Sequence, residues 1–333
     1  MSKLKVLSLF SGIGAFEKAL TNKDVDFEVV GFSDIDKYTV QSYCAIHNVD
    51  ESLNLGDVSA IKTAELPDFD LLVGGSPCQN ISKCGNVKGL KGDESKLFYD
   101  YARILNDKLP KYFIFENVDN LLQVNDGEDW KIVSAELSKN YKIKSQVLDS
   151  KYYNIPQSRK RLFVVGVRSD IDEEFSFTPS LIPTSLTMND IMDEDAAESL
   201  FITNFNGRYD EIIENNKVVS INKGNKIKKV GNIYPKNGQN GNIYSPHGLS
   251  PTLRSGQGVV GNGIGSNNAP KVLLDDGTVR KLSSKECWRL MGFSDADYEN
   301  CVAKNVSATQ LYKQSGNAIV VNVIESIVDD LLK

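Results

Sequence analysis

The stretch KVLSLFSGIGAF, residues 5–16, decides how the rest of this 333-residue chain is read. A short apolar run breaks into Phe10-Ser11-Gly12-Ile13-Gly14 and resumes as a helical pattern from Ala15 to Leu20. A strand that feeds a glycine turn and then a helix is the opening of a crossover unit. Its glycines let backbone approach a ligand, and the helix start favours polar or anionic groups. The alternation continues outward: FEVVGF precedes a helical pattern over Lys37 to Ile46, DLLVGG precedes one over Leu97 to Leu105, and YFIFEN and later RLFVVGV follow. Strands spaced in this way predict an α/β fold built from parallel crossover units, with ligands at the carboxyl ends of the strands.

Chemistry-bearing residues fall at those strand ends. A dinucleotide fingerprint would want a third glycine where Glu17 stands, so a pyrophosphate is disfavoured. A nucleoside suits the loop better, because Asp34, at the end of the second strand, can accept from ribose hydroxyls. Asp57, in GDVSA, can accept from an adenine amino group. Pro77-Cys78 follows the buried run DLLVGG, which points the thiol at the ligand crevice, although a lone cysteine is more often inert packing. Glu116 ends IFENV, and an apolar crevice there would raise its pKa and leave it able to donate a proton. Gln157, Arg159 and Arg161 stand immediately before a strand in IPQSRKRLF.

Bulk properties limit the class. Five cysteines without regular spacing, and an N-terminus without a long apolar run, predict a reduced, cytoplasmic protein with no membrane span. A net charge of −6 argues against a phosphate-rich partner until its distribution is considered. From Lys217 to Lys281 there are ten Lys or Arg against Asp275 and Asp276, so this stretch carries +8 and the remainder −14. A basic segment on an acidic body suits a local phosphate-tracking patch. Between about Ser180 and Lys281 the texture turns to Gly, Asn, Ser and Lys, with a near-repeat GNIY at Gly231–Tyr234 and Gly241–Tyr244. Linker-like composition would suit a loose insertion, but PTLRSG and VVGNGIG carry the apolar and turn signals of a small β module. Helical patterning returns after Lys281, and the last fifty residues are expected to pack on the first domain.

Taken in order, FSGIGAF, DIDKY, GDVSAI, SPCQNIS, ENV, QSRKR, KLSSKECWRLMGF and QSGNAIVVNV resemble the motif series of the cytosine-C5 DNA methyltransferases, from Phe10 to about Ile327. The resemblance implies a Rossmann-like S-adenosylmethionine-dependent methyltransferase domain over 1–180 and 281–333, with a smaller, loop-rich β target-recognition domain over 181–280. It implies that Phe10, Gly12, Gly14, Asp34, Asp57, Val58, Pro77, Leu97, Asn317 and Ile319 form the cofactor pocket. Cys78 would attack C6 of a cytosine flipped out of double-stranded DNA, Glu116 would engage N3 and the exocyclic amine, and Arg159 and Arg161 would hold base and phosphate. No metal is required. The expected DNA contacts are Ser82, Gln157, Lys226, Lys228, Lys229, Thr252 and Arg254, with side chains such as Gln239 or Gln257 reading bases or filling the vacated stack. The run from Gln79 to Gly92 resembles the family's mobile catalytic loop, and Cys84 within it has no derived role.

Three positions depart from the commonest family forms: Asp34 is shorter than the frequent Glu, Ala15 replaces a glycine, and Ser76 replaces Pro or Phe. None removes a group the chemistry depends on. A tRNA methyltransferase of the same family would carry Cys-Phe-Thr in its recognition region, whereas the only Phe-Thr here, Phe177-Thr178, follows Ser176. A DNA-binding regulator without activity would have lost catalytic residues, yet Cys78, Glu116, Arg159 and Arg161 are all present. The expected protein is a monomer of a bacterial or phage-infected cell, either solitary or accompanied by a restriction endonuclease.

Overall fold

Val6, Leu7 and Leu9 are fully buried because β1 (Leu4–Leu9) runs between two parallel neighbours, β2 (Phe27–Ser33) and β3 (Leu71–Gly74). A strand covered on both faces is apolar throughout, which is why KVLSLF shows no alternation. The computed structural model describes residues 3–77, 96–203, 208–209, 213–214, 217–218, 224–234, 241–255 and 269–332. Beyond β3, the strand β4 (Tyr112–Val118) is again parallel. The six-stranded order is β2-β1-β3-β4-β6-β5, with β5 (Tyr141–Asp149) at one edge and β6 (Lys160–Arg168) antiparallel to β4. The sheet is therefore mixed, where the sequence pattern predicted parallel units throughout. Residues 150–159, between β5 and β6, hold one 3-10 turn and no crossover helix, so the chain returns in the opposite direction.

Helices α1 (Ala15–Asn22), α2 (Lys37–His47), α3 (Lys96–Lys108) and α4 (Glu128–Leu137) complete this layer. The start of α2 is fixed by Asp36, whose carboxylate accepts from Tyr38 N at 2.9 Å and Thr39 N at 3.2 Å. Leu7, Leu9, Phe113 and Phe115 pack with Phe98, Tyr101 and Leu105 of α3 and with Val133 and Leu137 of α4. Val29 and Phe32 pack separately with Val40 and Tyr43 of α2.

The chain forms two compact units: residues 1–148, 160–179 and 323–333 make the first, and 149–159 with 180–322 make the second. The second carries a five-stranded sheet of order β13-β12-β11-β10-β7 and a separate β8–β9 pair. Its strands are β7 (Arg208–Tyr209), β8 (Ile213–Glu214), β9 (Lys217–Val218), β10 (Lys229–Asn232), β11 (Asn242–Tyr244), β12 (Lys271–Leu273) and β13 (Val279–Lys281). The two GNIY copies pair with each other, Gly231 opposite Ile243 and Asn232 opposite Asn242, with Asn232 Nδ2 donating to Asn242 Oδ1 at 3.0 Å.

The helices that follow are α5 (Ser284–Arg289), α6 (Asp295–Ala303), α7 (Ala308–Asn317) and α8 (Val321–Leu331). Of the last fifty residues, only 323–333 cluster with the first unit. Earlier ones are tied within the second by the buried Arg280–Glu286 pair at 2.8 Å, and by Arg289, which donates to Asp193 and Asp295 at 2.7 Å each.

Candidate active site

The loop after β1 turns sharply, with Phe10, Gly12 and Gly14 at φ 51°, 56° and 78°. A phenylalanine held in the left-handed region costs on the order of 1 kcal/mol, which glycine avoids. The turn aims Gly12 N at Asp34, whose Oδ2 accepts it at 3.1 Å, while Asp34 Oδ1 accepts from Asp36 N at 2.8 Å. A Cβ placed on Gly12 would meet nothing within 4 Å, so the loop borders open space there. Asp57 caps a 3-10 turn over Val58–Ala60; its Oδ1 accepts from Ser59 N at 2.9 Å and Ser59 Oγ at 2.8 Å. Those two bonds hold its carboxyl below the usual carboxylate range, so it stays an acceptor. Val58 is buried, Phe10 and Leu97 are half-buried against the core, and Pro77 is exposed.

At the end of β4, Glu116 meets Arg161 of β6, with Arg161 Nε 3.0 Å from Glu116 Oε1 and both side chains largely buried. The antiparallel register, which sets Val118 opposite Arg161, brings the guanidinium there. Glu116 thus lies beside a cation instead of in the apolar crevice expected for it. A Cβ on Gly75 would lie 2.5 Å from Glu116 Oε2, so the residue before Ser76 has to be small for the carboxylate to sit there. Asn117 then ties the two strand ends together: its Nδ2 donates to Ser76 O at 3.3 Å and Ser76 Oγ at 3.2 Å. Cys78, Ser82, Cys84, Gln239 and Gln257 lie outside the described residues.

Two residues expected to face substrate are committed elsewhere. Gln157 is fully buried: its Oε1 accepts from Leu253 N at 2.9 Å and its Nε2 donates to Leu290 O at 2.9 Å. Arg159 is also buried, and its guanidinium donates to Leu253 O at 2.9 Å, Gly316 O at 3.0 Å and Ala318 O at 2.9 Å. Both act inside the second unit. The two carbonyls beyond Leu253 flank Asn317, which is exposed at the end of α7, and Ile319 is half-buried. Thr252 Oγ1 donates to Ser158 O at 2.7 Å. Arg254, Lys226 and Lys229 are exposed, and Lys228 is half-buried.

Sequence reasoning passed over Asn54. Its side chain accepts from Asp34 N at 3.2 Å and Gly56 N at 3.1 Å and donates to Asp34 O at 3.1 Å. No periodicity or motif marks such a residue. The place of Asn117, by contrast, was visible in ENV.

Strands β1, β2, β3 and β4 all end at one carboxyl edge of a sheet whose order reverses between β1 and β3, where α/β folds bind ligands. Solved structures share this fold: the Dnmt2 methyltransferase of S. pombe has a TM-score of 0.72 at 21% identity, covering 99% of this chain and 98% of that one. The Entamoeba histolytica methyltransferase EhMeth has a TM-score of 0.71 at 15% identity, covering 100% and 98%. The molecule therefore has the Rossmann-like methyltransferase fold. The family description C-5 cytosine-specific DNA methylase matches residues 4–333, and the chain belongs to that family.

It is a DNA (cytosine-5-)-methyltransferase, using a methyl donor and acting on DNA. Its relatives include the orphan methyltransferase M.SPRI of Bacillus phage SPR, 34% identical over 100% of this chain and 98% of that protein. The type II methyltransferase M.HhaI of Haemophilus parahaemolyticus is 31% identical over 98% and 94%.

Proposed function

We propose that the methyl donor is S-adenosylmethionine and that the acceptor is a cytosine turned out of double-stranded DNA, to which Cys78 adds at C6. The observation that carries this reading is the Glu116–Arg161 pair, one strand away from the Pro77 that precedes Cys78 and tied to that segment through Asn117. S-adenosylmethionine supplies an electrophilic sulfonium methyl. The residues present fit it: open space borders Gly12, Asp57 is held ionised to accept an amine, and the Asp34 carboxylate, oriented by Gly12 N and Asp36 N at the end of β2, is an acceptor suited to ribose hydroxyls. Ile35, 80% exposed beside Asp34, offers an apolar surface to a purine. Asn317 and Ile319 keep the cofactor role that the motif match implies.

C5 of cytosine is a poor nucleophile until a group adds at C6. The Cys78 thiolate forms that bond, and the ring electrons move toward C5 while Glu116, steadied by Arg161, faces N3 and the exocyclic amine. The activated C5 would take the methyl as the bond from that carbon to the sulfonium sulfur breaks, leaving S-adenosylhomocysteine as the product. Loss of the C5 proton re-forms the C5–C6 double bond as Cys78 leaves. Base extrusion is required because C6 is covered in a stacked duplex.

Catalysis and cofactor binding belong to residues 1–180 and 281–333, and target recognition to 181–280, with Lys226, Lys228, Lys229 and Arg254 along the phosphates. Relatives named orphan methyltransferases support a solitary enzyme of a bacterial or phage-infected cell over one paired with an endonuclease. DNA carrying 5-fluorocytosine tests the reading, because fluorine cannot leave as the C5 proton does. The protein should become covalently trapped on such DNA, Cys78→Ser should abolish trapping, and Cys84→Ser should retain it. Normal methylation by Cys78→Ser would sink the assignment.

A further inference from the structure

We propose that Asn54 is a positioning residue of the cofactor site, one that locks Asp34 and the Gly56-Asp57 turn into a single acceptor array. The proposal rests on the reading of Asp34 and Asp57 as nucleoside acceptors, and it adds a residue with no chemistry of its own.

The backbone of Asn54 is fixed before its side chain acts. Asn54 N bonds Glu51 O at 2.9 Å, a single parallel bridge joins it to Phe32, and Leu55 N donates to Phe32 O at 2.7 Å. The segment thus lies along the outer edge of β2, next to the strand end that carries Asp34. From there one amide serves two loops. Asn54 Oδ1 takes both Asp34 N and Gly56 N, at 3.2 and 3.1 Å, and Nδ2 returns a bond to Asp34 O at 3.1 Å.

Both peptide groups of Asp34 are held in this way, so its Cα is set and its carboxylate can meet Gly12 N and Asp36 N. On the other side, Gly56 sits at φ 68° immediately before Asp57, and its carbonyl accepts from Ser33 Oγ at 2.6 Å. Releasing the amide would free the end of β2 and the Asp57 turn together.

The residue type is demanded by this pattern. Two N–H groups need an acceptor with two lone pairs, and the carbonyl needs a donor on the same short planar group, which only an amide of this length supplies. Aspartate would keep the acceptor, lose the donor and add a negative charge beside Asp34. Alanine would lose all three bonds.

A coupled pair should also behave non-additively, because once the Asp34 carboxylate is gone its placement no longer matters. The test uses S-adenosylhomocysteine binding by calorimetry on the full chain, with thermal unfolding as a control for folding. Asn54→Ala should weaken binding about tenfold, as expected for misplacing one charged hydrogen-bond acceptor. Asn54→Asp should weaken it at least as much while preserving side-chain volume, which keeps the test informative if the alanine variant folds poorly. In an Asp34→Ala background, Asn54→Ala should cost clearly less than its tenfold in the parent, the remaining loss coming through the Asp57 turn.

Unchanged affinity in a folded Asn54 variant would overturn the proposal, as would losses that multiply in the double variant. If Asp34→Ala alone bound S-adenosylhomocysteine normally, the cofactor reading of Asp34 would fail, and the role of Asn54 with it. Loss in Asp34→Ala without loss in Asn54→Ala would refute the positioning role alone.

Discussion

Replacing Lys271 with Met should stabilise the second unit at neutral pH and remove a specific pH dependence. Lys271 lies on β12, opposite Lys281 in the antiparallel register with β13, and is almost completely buried. Burial pushes its ammonium down to about 8, and the positive charge of Lys281 adds to the shift. An unfolded lysine keeps its proton up to about 10.5. Between these values the unfolded chain binds more protons than the folded one, so this residue makes stability rise with pH across that window. A shift of about 2.5 units at about 1.36 kcal/mol each amounts to about 3 kcal/mol.

Buried Tyr101, Tyr141 and Cys287 and half-buried Tyr312 act in the opposite sense. Their pKa values are raised by burial, so the stability they contribute is lost as pH rises above their unfolded values. They are common to both proteins and cancel in the difference. The assay is urea unfolding from pH 7 to 10.5, followed by the fluorescence of buried Trp288 in a Trp130→Phe background, since the chain has two tryptophans. The advantage of Lys271→Met should shrink from about 3 kcal/mol at pH 7 to near zero at pH 10.5. A difference that stays constant across that range would refute the reasoning, because it would be a packing effect with no proton linkage.

Arg159→Met should leave three buried carbonyls without their donor and destabilise the second unit by about 3 kcal/mol or more, read by the same fluorescence. A variant as stable as the parent but inactive would show instead that Arg159 touches substrate. Changing Lys226, Lys228 and Lys229 together to Gln should flatten the slope of log DNA affinity against log salt by about 2 units, since two of the three are exposed and Lys228 is half-buried. An unchanged slope would remove these lysines from the phosphate contacts.

The amino-acid sequence determined the four parallel strands, the helices between them, and the acids and the Pro-Cys pair at their ends. Those features follow from local apolar runs, and a strand end is where its run stops. The order of the motifs likewise specified the family before any contact was known. The tertiary structure decided direction and partnership. It set β6 antiparallel, which brings Arg161 to Glu116, and it paired the two GNIY copies, which along the chain read only as a repeat.

It also separated residues of one motif: in QSRKR, Arg161 reaches the carboxylate at the end of β4, while Gln157 and Arg159 turn into the second unit. An arginine is equally suited to a phosphate, a carboxylate or a row of carbonyls. The carbonyls that hold Arg159 lie 94, 157 and 159 residues away along the chain, beyond the reach of any local pattern. The same holds for Asn54, whose role comes from a strand end 20 residues earlier that folding brings alongside it.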